Sequence, residues 1–178
     1  MRDITYQGLR CESIPDDLLD GFERYQEVSR WWRRVDDRWI LVDSPSVSDW
    51  DLSKKRRVTQ ELLTCARNGG VVFGARCQDR IIGFAALQAI PFGRTLAYRQ
   101  MSLLQVSNGY RRSGVGKRLF ELVVSSARNM GAKRIYISAH SAEASLAFYK
   151  AVGCVEAEEI NPEISAREPY DCQMEYVL

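Results

Sequence analysis

The segment LLQVSNGYRRSGVGKRLF, residues 103–120, gathers the side chains and backbone best suited to hold an anion. Arg111, Arg112, Ser113, Gly114, Val115 and Gly116 form a short basic, glycine-containing turn that runs into a segment with helical spacing. The first turn of a helix offers unpaired N–H groups and a partial positive charge, which together attract phosphate oxygens. Glycine lets the backbone approach such an anion with no side chain between. Arg111, Arg112 and Lys117 add charge at the same place. The turn therefore reads as a cradle for a phosphate or pyrophosphate.

The surrounding elements must place this turn at the end of a strand. Tyr98–Ser107 is an apolar, strand-like run that feeds it, and Gly114–Met130 is helical, with Leu119, Leu122, Val123, Ser126, Ala127 and Met130 recurring at three and four. Lys133–Ala139 is expected to be a strand and Ala142–Val152 a helix. Cys154–Ile160 and Tyr170–Leu178 read as two final strands. Upstream, Val71–Cys77 and Arg80–Ala89 form a hairpin around Gln78-Asp79. In the N-terminal part, Leu18, Phe22, Tyr25, Ser29 and Trp32 predict a helix from Asp16 to about Arg34. A Trp39–Val42 strand follows, then a polar loop, then a helix from a Ser53 cap to Arg67. The order implies an α/β or α+β sheet flanked by helices, with a β-α-β crossover at its middle.

Composition narrows the function. With 178 residues the chain suits a single domain, and its formal charge of +2, 46% hydrophobic and 27% charged residues are those of an ordinary globular protein. Nucleic-acid and membrane partners are not expected. One histidine, His140, cannot build a multi-histidine metal site, so no metal is expected. The five cysteines are widely spaced and odd in number, which points to reduced thiols and a cytoplasmic protein rather than a disulfide framework.

Spacing then chooses among phosphate-binding turns. A Walker loop fails because Val115 stands where lysine is needed after Gly114. A dinucleotide fingerprint has Leu119 at its third glycine and no acidic residue at the end of the following strand. What fits is R-x-x-G-x-G at Arg111–Gly116, followed by F-Y-x-x-x-G at Phe148, Tyr149 and Gly153. This pair resembles the GNAT family of N-acetyltransferases over roughly residues 71–178, an acyl-CoA-binding core, with 1–70 as a variable N-terminal helical region.

The resemblance implies a mixed, mostly antiparallel sheet of six to seven strands whose fourth strand, Tyr98–Ser107, bulges and splays from the fifth. Acetyl-CoA would be the co-substrate. Backbone groups of Leu104, Gln105 and Val106 would pair with its pantetheine arm, and the amides from Arg111 to Gly116, helped by Lys117, would hold its pyrophosphate. Tyr149 matches the family's proton donor to the departing thiolate. Phe148 and Ser145 are carried with the cofactor-binding residues, although Phe148 shares a helical stripe with Ala144, Ala147 and Val152. The asparagine that many members place before the tyrosine is Ala142 here, with Ser145 or Ser141 as substitutes, and the strand glutamate of some members is Ile137. The general base is left open between His140 and water.

The implied activity is direct transfer of an acetyl group to a primary amine, expected to be a small cationic one. A non-catalytic acyl-CoA-binding domain and a protein N-terminal or lysine acetyltransferase are the alternatives. Glu156, Glu158, Glu159, Glu163, Glu168 and Asp171, against Arg167 alone, could wall an amine site or simply be a solvated loop. Lys54–Arg57 reads as a solvated helix face before a phosphate grip, and Trp31, Trp32 and Trp39 as core or dimer contacts before an aromatic cage. Cys154 and Cys172 are expected to be inert buried thiols. A homodimer through the last strands or the aromatic N-terminal segment is compatible with this pattern.

Overall fold

The computed structural model describes residues 3–178. Its elements are β1 (Ile4–Gly8), β2 (Gln26–Val35), β3 (Arg38–Ser48), α1 (Leu52–Arg67), β4 (Val71–Cys77), β5 (Arg80–Leu87) and β6 (Tyr98–Val106). There follow α2 (Val115–Asn129), β7 (Arg134–Ala139), α3 (Glu143–Ala151), β8 (Val155–Glu156), α4 (Pro162–Arg167) and β9 (Cys172–Val177). Seven strands form one sheet in the order β1-β4-β5-β6-β7-β9-β8, and β2 and β3 form a separate two-stranded sheet. Only β6 and β7 run parallel.

Side chains alternate across the sheet, so each face has its own core. On one face α2 packs Leu119, Phe120, Val123 and Ala127 against Ala75, Ile82, Ala85 and Ile135. On the other α1 packs Val58, Leu62 and Cys65 against Val72, Ile81, Phe84 and Ala86. The predicted β4–β5 hairpin is present, with Gln78 at φ 55 in its two-residue turn.

The N-terminal helix expected over Asp16–Arg34 does not form. Residues 16–21 make turns that drive Leu19 and Phe22, both almost wholly buried, under α1. The chain then extends as β2 and turns back into β3 through Asp36 and Asp37, at φ 47 and 60. The expected Asp43–Asp49 loop is largely β3 itself. The cap of α1 is Asp51 rather than Ser53, its carboxylate accepting from the Lys54 amide at 2.7 Å. The Cys154–Ile160 strand shrinks to Val155–Glu156, and α4 was not expected. No helix among the described residues is long and apolar enough to cross a membrane.

Candidate active site

β6 and β7 pair only at Tyr98↔Arg134, Arg99↔Ile135 and Gln100↔Tyr136, after which β6 runs on beside β5 and β7 beside β9. The register of β5 and β6 shifts where Leu87 faces Met101 and Ala86 faces Leu103, so Ser102 is the extra residue of a bulge. Its hydroxyl lies 2.8 Å from the Gln88 amide nitrogen. A buried network closes the paired end. Glu175, 3% exposed, accepts from the Tyr98 hydroxyl at 2.5 Å and from the Glu158 amide at 3.0 Å, and forms an ion pair with Arg134. Beyond it the strands diverge into a cleft.

The Ser107 amide donates to Ile82 of β5 at 2.8 Å. By alternation Gln105 also turns its backbone to β5, while Leu104 and Val106 turn theirs to the opening. The Val106 carbonyl is taken by Arg111 Nε at 3.1 Å, which folds that guanidinium back against the strand end. Burial holds Arg111 below the usual arginine range. The free backbone edge that the splay exposes is thus narrower than Leu104–Val106 taken whole.

The glycine turn is built as a donor array. Arg112 sits at φ 60 and Gly114 at φ 87, a left-handed conformation that glycine adopts without strain. Gly114 is the N-cap of α2, and among the described residues no side chain caps this end and no carbonyl accepts the amides of residues 112–117. Ser113 donates its hydroxyl to the Tyr110 carbonyl at 2.5 Å, which tightens the turn. The Val115 side chain is buried in the core, so that residue offers only its amide. At Gly116 a Cβ would come within 3.4 Å of the Phe148 ring. These bare amides suit a pyrophosphate.

Tyr149 projects from α3 into the cleft, its ring 5.2 Å from that of Phe148. Burial, then Cys154 and Asp171, push its phenol well above the usual tyrosine range, so it is protonated at neutral pH. Ser145 lies on the same wall. Ser141, the other suggested substitute, is buried, and its hydroxyl accepts from Arg33 at 2.8 Å. Ala142 is wholly buried, its backbone bridged antiparallel to Trp31 of β2.

Asp171 is the carboxylate that sequence reasoning left inside a general acidic run. It lines the cleft, and burial, then Glu168, push its carboxyl up to about 6. The run itself divides. Glu158 pairs with Arg134 at 2.6 Å and Glu159 accepts from the Arg94 amide at 2.8 Å, whereas Glu163, Glu168 and Asp171 face the cleft. His140 also faces it, its ring 4.9 Å from Trp31, without capping α3. Loss of solvent around the ring, with Arg24 and Arg33 nearby, holds its pKa below the ordinary histidine value.

The remaining expectations resolve simply. Trp31 donates to the Ser44 carbonyl at 2.8 Å, and Trp32 lies beneath Lys150, so each has a protein partner. Within Lys54–Arg57, Arg56 pairs with Asp20 at 2.5 Å. All five cysteines are free, and burial pushes Cys154 and Cys172 up to about 12, beyond use as nucleophiles at neutral pH. Among the described residues no cluster of His, Cys, Asp or Glu is arranged to hold a metal. Arg24 and Trp50 also border the cleft, and nothing in the sequence pattern marked them.

A family model described as the acetyltransferase (GNAT) family matches residues 24–154. No curated protein sequence matches the chain. Among solved structures, a nourseothricin acetyltransferase superposes with a TM-score of 0.67 at 15% identity, covering 98% of each chain. A GNAT family acetyltransferase from Elizabethkingia anophelis with acetyl-CoA bound gives 0.59 at 17% identity over 100% of each chain. A PaiA N-acetyltransferase from Thermoplasma acidophilum in complex with coenzyme A gives 0.61 at 13% identity over 99% of each chain. At these identities the structures establish the shared fold, and the sequence match, which takes in the splayed strands, the glycine turn and Tyr149, establishes that this chain belongs to the GNAT acetyltransferase family.

Proposed function

We propose that the protein transfers an acetyl group from acetyl-CoA to a primary amine by direct attack, with no acyl-enzyme. The observation that carries this reading is the run of amides at residues 112–117 left unbonded among the described residues, set at the mouth of a cleft that parallel strands open by parting. Arg112 and Lys117 are exposed beside it and add charge. Leu104 and Val106 present a strand edge for the pantetheine arm, and Ser145 and Phe148 lie on the facing wall. Bound acetyl-CoA would supply the activated acetyl group.

The rest of the chemistry falls to side chains of this chain. An amine must lose its ammonium proton before it can attack a thioester carbonyl. Asp171, titrating near 6, is a carboxylate at neutral pH that can take that proton directly or through water. The new C–N bond forms as the C–S bond breaks, Tyr149 donates its phenolic proton to the departing sulfur, and the second proton that nitrogen sheds on becoming an amide returns through water to the phenolate. Glu163 and Glu168 supply a negative wall that draws a cationic amine in. The buried Cys154 and Cys172 thiols, without a histidine partner, support direct transfer.

Calorimetric titration with acetyl-CoA, CoA and NAD in parallel tests the cradle. Binding of both CoA compounds and not NAD is expected, and amines are then screened by thiol release. Binding of NAD alone, or of none of the three, overturns the reading.

A further inference from the structure

Arg24 is the one arginine among the described residues that is buried, at 7% exposure, and its Nε and Nη1 have no hydrogen-bond partner. Other arginines with an unsatisfied nitrogen are still engaged elsewhere: Arg56 through its ion pair with Asp20, and Arg99 through the carbonyls of Ala89 and Met130. Arg24 has neither. Asp49 lies near but beyond ion-pair reach, and the other titratable groups coupled to it, Arg111 and His140, bring no negative charge. A buried cation with no counter-charge in contact is costly, and burial and Arg111, opposed by Asp49, bring its pKa down to about 10, so it keeps its proton at neutral pH.

The fold holds Arg24 in this state. Its neighbour Glu23 is pinned to the end of β6, accepting from the Asn108 amide at 2.8 Å and donating its own amide to the Ser107 hydroxyl at 3.1 Å. The guanidinium lies over the Trp50 ring, 5.6 Å from its centroid, and borders the cleft. Trp50 packs in the core on the α1 face, whereas the bare amides of residues 112–117 start α2 on the other face. The cofactor's phosphates already have that array, so the charge Arg24 awaits is a different one. The cleft then has two poles, basic at Arg24 and acidic at Asp171 and Glu168.

We propose that Arg24 is the receptor for an acidic group on the acceptor, so that the acceptor is an amine that also carries a carboxylate, of amino-acid type. This deepens the reading given under Proposed function and rests on it. The ammonium end would lie toward Asp171 and Glu168, and the carboxylate toward the guanidinium, where a fork of N–H donors matches its two oxygens.

Matched pairs that differ only in the carboxylate test this: lysine with cadaverine, phenylalanine with phenethylamine, and methionine with 3-(methylthio)propylamine. For at least one pair, the carboxylate-bearing member is expected to have a kcat/KM at least about tenfold higher, and Arg24→Met to bring that ratio close to one while the Kd for acetyl-CoA changes less than about twofold. Without ligand, Arg24→Met should melt at least about 2 °C higher, because a costly buried charge is replaced by an apolar chain of similar length. A structural arginine would lose stability instead. No preference in the wild type, a preference that survives Arg24→Met, or a loss confined to acetyl-CoA affinity each overturns the proposal, the last by assigning the guanidinium to the cofactor. The same pairs titrated without acetyl-CoA read the preference as binding alone. Carboxylate-selective binding through Arg24 in a protein that turns over no amine would sink the transferase reading and leave Arg24 as a carboxylate receptor without the acceptor role.

Discussion

The Ser138 hydroxyl donates a hydrogen bond to Asp171 at 3.2 Å, tying the end of β7 to the turn that enters β9. The bond fixes a carboxylate that burial would otherwise leave without a partner, and it opposes the upward push on its pKa. Asp171 thus combines position with a titration close to neutrality, the two properties a general base needs.

Replacing Asp171 with Asn is expected to lower kcat/KM by about 10² or more and to remove the rise in activity through pH 6. Stability should move the other way. The folded carboxyl titrates above its unfolded value, so its contribution is fully present below about pH 4 and is lost as pH rises through about 6. Asp171→Asn should therefore raise Tm at pH 8 and leave it unchanged near pH 4. Thermal melts at both pH values, beside a pH–rate profile, check this; an intact acidic limb in the variant would move the base elsewhere.

Tyr149→Phe is expected to lower kcat by about 10² while leaving the acetyl-CoA Kd within about twofold, since only the proton to sulfur is lost. Its raised pKa keeps wild-type Tyr149 protonated across the neutral range. Steady-state kinetics with isothermal titration read both quantities, and wild-type turnover by the variant would remove Tyr149 from the mechanism.

Gly114 and Gly131 make an internally controlled pair. Both have positive φ, 87 and 75, and a Cβ at either meets nothing within 4 Å. Alanine at each should therefore cost a similar ~1 kcal/mol of backbone strain. Only Gly114 stands in the donor array, so only Gly114→Ala, and more severely Gly114→Leu, should weaken CoA binding, by about tenfold or more. Chemical denaturation and calorimetry on both variants separate the two effects.

Glu175→Ala would strip the Tyr98 hydroxyl and Arg134 of their buried acceptor and is expected to destabilise the fold by about 3–5 kcal/mol. Glu175→Gln keeps an acceptor for Tyr98 and should cost less, about 1–3 kcal/mol. Urea unfolding curves measure the difference.

The sequence was most legible where local rules and the fold agree. The β4–β5 hairpin, the crossover from β6 through α2 to β7, and the glycine turn all carry unambiguous periodicity or punctuation. The N-terminal part does not. Leu18, Phe22, Tyr25 and Trp32 have helical spacing by coincidence, because Leu19 and Phe22 are buried from turns while Trp31 and Trp32 belong to a strand. Asp36-Asp37 makes a tight hairpin without the glycine that usually signals one. Pro45 lies inside β3 opposite the register shift at Val28/Arg30, where a bulge tolerates proline. The start of α4 was readable, since Asn161 caps the amides of Glu163 and Ile164 and Pro162 follows it. Arg24 gave no such signal. Its role depends on which groups fail to surround it, and spacing along a chain does not encode that.

The brevity of the β6–β7 contact has a mechanical consequence. The main sheet is in effect two plates, β1-β4-β5-β6 and β7-β9-β8, hinged on three residue pairs and the carboxylate of Glu175. The two plates carry opposite walls of the cleft, so its aperture is set by the angle at that hinge rather than by any side chain lining it. Changes at Tyr98, Arg134 or Glu175, though remote from the reacting atoms, should therefore shift the KM values for cofactor and acceptor in concert.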